Sequence, residues 1–144
     1  MNFDIENQVC VAQAFTGAAA VSAHSYQKQS AEQDLSIGRR MAFLILPVVN
    51  AGVGSTLLIE AIQSAATALT SADVLSSISI AAADFVLGKQ FELPIPQGTM
   101  SKQHLGIRVT ITGGTTTATL DAYLVPQDEI AKYKSFPKAV NVDI

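Results

Sequence analysis

The chain has 144 residues, 49% of them hydrophobic and 15% charged, a balance that excludes a disordered segment and fits one folded domain with its own core. Twelve acidic residues against nine basic ones leave a net charge of −3, so no basic footprint for nucleic acid is present. One cysteine excludes an internal disulfide.

The first 17 residues place Phe3, Ile5, Val9, Val11 and Phe15 among acidic and amide side chains. That pattern reads either as an arm laid along a partner or as an ordinary first strand. The acidic start, where a secretory signal needs positive charge, is not expected to direct export. A short strand is expected near 19–26. Met41 to Val49 is a continuous apolar run and reads as a strand covered on both faces, with Pro47 late in it. At nine residues it is far short of the roughly 20 that a membrane-spanning helix needs, so no membrane partner is expected.

Asn50 to Ser55 is loop chemistry, and Thr56 to Ile62 follows as a strand with Leu57, Ile59 and Ala61 on one side. From Leu57 to Leu87 a second reading competes, because Leu58, Ile62, Ala65, Ala66 and Leu69 also make a helical stripe, and a short helix over Ala61 to Leu69 stays open. Serines and threonines at 64, 67, 70, 71, 76, 77 and 79 favour strands, since their side chains compete for helix backbone. Val74, Ile78 and Ile80 then alternate with serines. Gln90 to Ile95 reads as an edge strand ended by Pro94 and Pro96.

Leu105, Ile107, Val109 and Ile111 alternate with polar or small residues, Gly113-Gly114 permits a tight turn, and Ala118, Leu120, Ala122 and Leu124 alternate on the way back. The expectation is one long antiparallel hairpin. Seven or eight short strands in all predict an all-β chain, an antiparallel β-sandwich or jelly roll over residues 18–126, flanked by an arm, 1–17, and a tail, 127–144. In the tail, Asp128 and Glu129 suit the N-terminus of a short helix. Tyr133, Phe136, Val140, Val142 and Ile144 are apolar residues left over, to pack back or to dock on another chain, with docking preferred. The candidate partner contacts are therefore Phe3, Ile5, Val9, Tyr133, Phe136 and Val140.

Between Met41 and Gly88 there is no Lys or Arg, and the only charges are Glu60, Asp73 and Asp84. This stretch is either buried or lies against a neighbour on a surface of small polar residues. Catalytic chemistry is nearly absent. His24, His104 and Cys10 have no ligand-like spacing, so no metal or cofactor is expected. Gly52-Val53-Gly54-Ser55-Thr56 lacks the lysine of a phosphate loop. No Gly-x-Ser-x-Gly elbow occurs, and without tryptophan a sugar-stacking platform is poorly supported. The chain is not expected to be an enzyme.

The succession of Leu57-Leu-Ile-Glu-Ala-Ile, Thr70-Ser-Ala-Asp-Val-Leu, Phe91-Glu-Leu-Pro-Ile-Pro-Gln-Gly and Leu105-Gly-Ile-Arg-Val-Thr-Ile-Thr-Gly-Gly resembles the jelly-roll capsid cement, or decoration, proteins of short-tailed DNA phages, the Bordetella-phage type. The likeness covers about residues 18 to 130. It departs at Ile107-Arg108-Val109, where an aromatic is common, and in the extension after Gln127. The resemblance implies a structural virion protein, made in the host cytoplasm, that binds the outside of the assembled major capsid protein shell and holds it against internal DNA pressure. It also implies a homo-oligomer, a dimer before a trimer. A receptor- or carbohydrate-binding jelly-roll module of a phage particle is the alternative.

Overall fold

The computed structural model describes residues 7–17, 19–30, 35, 39–113, 116–128 and 130. Among the described residues nine strands occur in chain order: β1 (Gln8–Phe15), β2 (Ala20–Val21), β3 (Tyr26–Gln27), β4 (Met41–Pro47), β5 (Thr56–Ser64), β6 (Asp73–Ala81), β7 (Phe91–Pro94), β8 (His104–Thr112) and β9 (Ala118–Pro126). They form two antiparallel sheets. One runs β1-β9-β4-β7; the other runs β2-β8-β5-β6, with β3 also on β8. With β2 and β3 as two pieces of one interrupted strand, this is the strand order of a jelly roll, two Greek keys closed face to face.

Period-2 patterning builds the core. Leu57, Ile59 and Ala61 of β5, and Leu105, Ile107 and Val109 of β8, point inward from one sheet. Phe43, Ile45, Leu93, Leu120 and Leu124 meet them from the other. β4 is buried on both faces, as its continuous apolar run predicts: Phe43 and Ile45 enter this core, while Ala42 and Leu44 join a second cluster with Val125 and Ile130. β7 is an edge strand as expected, paired among the described residues with β4 alone.

Three expectations are corrected, and the choice between strand and helix after Leu57 falls to the strand, as preferred. The hairpin over 105–125 does not form, because β8 and β9 lie in different sheets. Their apolar rows face each other through the core, which removes both rows from water; pairing them edge to edge would stack neither row against the other. β5 occupies residues that also fit a helical stripe, because Leu57, Ile59 and Ala61 all bury on one pleated face and its ladder to β8 runs unbroken from Thr56↔Thr112 to Ser64↔His104. The strand near 19–26 is two short pieces instead of one.

The division at residue 17 is the third correction. β1 is a sheet member paired with β9, and Val9, Cys10 and Phe15 are buried, so residues 8–15 belong to the sandwich. Two register irregularities break β1, and the carboxylate of Asp121 accepts a hydrogen bond from Ala12 N at 2.7 Å where Ala12 adopts a φ of 46°. A side-chain acceptor thus takes the amide that the distorted ladder leaves over. At the other terminus, Gln127 N donates to Arg40 O at 2.8 Å, Arg39 and Asp128 pair at 3.1 Å, and Ile130 is buried. The start of the tail therefore packs on its own domain.

Side-chain amides fasten the loops. Gln63 Oε1 accepts from Ser101 N at 2.8 Å and Lys102 N at 3.1 Å, fixing the approach to β8. Gln13 bridges the sheets at the opposite edge, donating to Val21 O and accepting from Ala23 N.

Candidate interaction surface

The topology sends two loops to the same end of the sandwich. β4 ends opposite the start of β7 (Ile45↔Phe91), and β5 begins opposite the end of β6 (Thr56↔Ala81). The β4–β5 and β6–β7 loops are therefore neighbours, and they are tied together: Leu87 N donates to Asn50 Oδ1 at 2.9 Å, and Ala51 N to Phe85 O at 3.0 Å. Beneath them Phe85 is buried and stacks on Phe91, with ring centroids 5.4 Å apart. Ser55 Oγ bonds both Gly113 O and Thr116 Oγ1, so the β8–β9 connection joins the same end.

These ties hold three apolar side chains in water. Val49 is 49% exposed, Val53 77% and Leu87 65%. Gly52 and Gly54, at φ values of 100° and 90°, make the turn that puts Val53 at the loop tip. Only five large hydrophobic residues are this exposed among the described residues, so three at one end form a concentration. Covering one such side chain is worth roughly 1.5 kcal/mol or more.

The outer face of the β6-β5-β8 sheet continues the charge-poor surface. In register across it stand Ala81, Thr56 and Thr112, then Ser79, Leu58 and Thr110, then Ser77, Glu60 and Arg108. Glu60 Oε1 and Arg108 Nε pair at 2.8 Å, so this last row carries no net charge. The missing Lys and Arg of residues 41–88 thus reflect both burial and an outer sheet face of hydroxyls and small side chains.

The terminal contact set fares differently. Val9 is fully buried and cannot meet a partner; its apolar neighbours in the alternating pattern gave it to the core instead of to an arm. Phe3, Ile5, Tyr133, Phe136 and Val140 lie outside the described residues. Val49, Val53 and Leu87 were not singled out by sequence reasoning. The usable signal was a valine between two glycines, an apolar side chain in a segment that cannot bury it.

Potential catalytic groups are not gathered. Among the described residues no cluster of His, Cys, Asp and Glu could hold a metal ion. Cys10 is buried, and burial followed by the charge of Asp121 pushes its thiol up to about 12, well away from a reactive thiolate. His24 is exposed while His104 is buried. An open groove of about 390 Å³ lies between Arg40, Pro94, Ile95, Pro96, Gln97 and Gln127, with no aromatic ring in its lining for a sugar to stack on. No helix of the described residues is long and apolar enough to cross a membrane.

The family model Bbp16 matches residues 9–124. No curated protein matches the chain. Among solved structures, the crystal structure of PirA is 12% identical over 87% of this chain and 99% of that one, with a TM-score of 0.45. A chain from the disulfide-linked pili of Bacillus endospore appendages is 15% identical over 81% of each, with a TM-score of 0.42.

Proposed function

The chain belongs to the Bbp16 family, a phage-related family, and from that premise we propose that it is a capsid cement protein, bound to the outside of the assembled major capsid protein shell. One observation on the molecule supports this reading: the pinned loop end that keeps Val49, Val53 and Leu87 in water within a stretch free of Lys and Arg. A rigid apolar patch loses little entropy on docking, so most of the burial free energy counts toward binding. The mechanism is mass action. A protein that binds the assembled lattice and not its free subunits adds its binding free energy to the assembled state. Many copies acting on one shell multiply a modest gain per site.

The test is co-sedimentation with expanded shells and, separately, with unassembled capsid-protein subunits. Binding to shells alone, with a higher rupture temperature, is the expected result. Equal binding to free subunits with no effect on rupture overturns the proposal.

A further inference from the structure

Two sheets have four edges, and three of them are closed to further pairing. On β7, Ile95 N donates to Met41 O, and the register Ala42↔Pro94 then turns the backbone groups of 92, 94 and 96 outward. Two of those three positions are prolines and have no N–H to offer. β1 is broken by its two irregularities and the left-handed Ala12. The edge on β8 is divided into two strands of two residues, β2 and β3. These are the usual devices against edge-to-edge association.

β6 has none of them over its regular part. Its single irregularity falls between Val74 and Ser76, and from Ser76 to Ala81 the ladder to β5 is continuous. Ala82 N donates to Ser55 O at 2.9 Å, so residues 76, 78 and 80 face β5 and the N–H and C=O groups of Ser77, Ser79 and Ala81 face out. None of those three N–H groups has a partner among the described residues. This six-residue edge carries no charge, no proline and no glycine.

We propose that β6 is an interface for a second copy of this chain, paired antiparallel to its own counterpart about a two-fold axis at Ser79. This follows from the edge alone and does not rest on the cement reading. With the axis at Ser79, the outward groups meet in register as 79 with 79, 77 with 81, and 81 with 77, and each pair exchanges two hydrogen bonds. A self-paired strand sets every residue against one of its own set, so any central charge would meet a like charge. The absence of charge from Val74 to Ala81 makes the paired segment 77–81 self-complementary, while Asp73, at the start of the strand, and Asp84, after it, lie outside that segment. On the inner side Ile78, only partly buried in one copy, comes to stand beside Ile80 of the other. The two sheets become one continuous sheet through an isologous contact.

The test is sizing of the isolated full-length protein by light scattering through a dilution series, for wild type, Ser79→Lys and Ser79→Cys. A dimer is expected for wild type, with self-association weakened at least about tenfold by the paired lysines of Ser79→Lys, whose circular dichroism stays unchanged. Directly paired residues lie about 5.5 Å apart at Cα, within disulfide reach, so Ser79→Cys forms a covalent dimer under mild oxidation. A control cysteine at Thr110, two strands inside the sheet, does not. A wild type that stays monomeric throughout, or a Ser79→Cys dimer that forms no faster than the Thr110→Cys one, overturns the proposal. Shell binding is not an arm of this experiment, so the two proposals fail independently.

Discussion

Leu69 stands directly over Gly106, in the space where any side chain at 106 would lie, and the hydroxyl of Ser22 closes the same space at 2.7 Å from a would-be Cβ. Leu69 comes from the β5–β6 loop, adopts a left-handed φ of 59°, and is nevertheless buried. The loop therefore folds back across the outer face of β8, and the missing Cβ of a strand glycine is what admits it.

Gly106→Ala is accordingly expected to destabilise the fold, by roughly 1–3 kcal/mol, because the new methyl must displace either Leu69 or the Ser22 hydroxyl that also accepts from Ile107 N. Chemical denaturation measures it. Leu69→Ala in the same chain should recover part of the loss, and a strictly additive double variant would show that the two residues do not share the space.

The Cys10 thiol gives stability a slope with alkaline pH. Unfolded, it ionises near 9.0; folded, burial and then Asp121 hold the proton up to about 12. Between those values the unfolded state binds fewer protons than the native one, so stability falls as pH rises, by up to about 1.4 kcal/mol per unit. Tyr123 is raised by burial and by Asp121 and adds in the same direction at higher pH. Urea midpoints of wild type and Cys10→Ala from about pH 8 to about pH 10.5 should diverge in slope, the variant being the flatter. A native-state thiol assay should find Cys10 unreactive until the protein is unfolded.

Gln63 fixes the approach to β8 with one carbonyl that accepts two backbone amides, and its NH₂ reaches Ser101 Oγ at 3.1 Å. Gln63→Leu leaves Ser101 N and Lys102 N without that acceptor inside a part-buried site, at a cost of about 1–3 kcal/mol. Hydrogen exchange should show the two amides losing protection first, with the β5–β8 ladder retained. Uniform loss across both sheets would assign Gln63 a core role instead of a loop-fastening one.

If the loop end meets the shell, Val53→Asp and Leu87→Asp should leave the fold intact, since both side chains are in water, and weaken shell binding by about tenfold or more each. Thermal melting and co-sedimentation of the same preparations decide it. Unchanged binding by both variants would move the docking surface elsewhere.

Glu60 and Arg108 sit directly opposite in the β5–β8 ladder and are both partly buried. A double-mutant cycle with Leu at each position should give a coupling of about 1 kcal/mol or less, with Arg108→Leu alone the costlier change because it leaves the more buried partner, the Glu60 carboxylate, without its counter-charge.

Much of the fold was legible in period. The alternation at Leu57, Ile59, Ala61 and at Leu105, Ile107, Val109 marked strands and their buried face, the unbroken run at Ala42 to Ile45 marked a strand covered twice, and Pro94 with Pro96 marked an edge. These are local properties: a pleat with one wet face writes itself into the order of residues. Which strands share a sheet is different. Leu105 to Thr112 and Ala118 to Val125 carry the same alternation and the same glycines whether they pair as a hairpin or cross between sheets, and only the closing of two rows over one core chose the second. In the same way Val9 looked fit for an arm until a register with β9 gave it a place inside, and Val53 and Leu87 became a patch only when the jelly roll brought their loops to one end. The sparse charge of residues 41–88 was visible from the outset. That it splits between a buried strand, an apolar loop end and an unguarded sheet edge was decided by tertiary structure, because exposure is a property of what packs alongside and not of the residue itself.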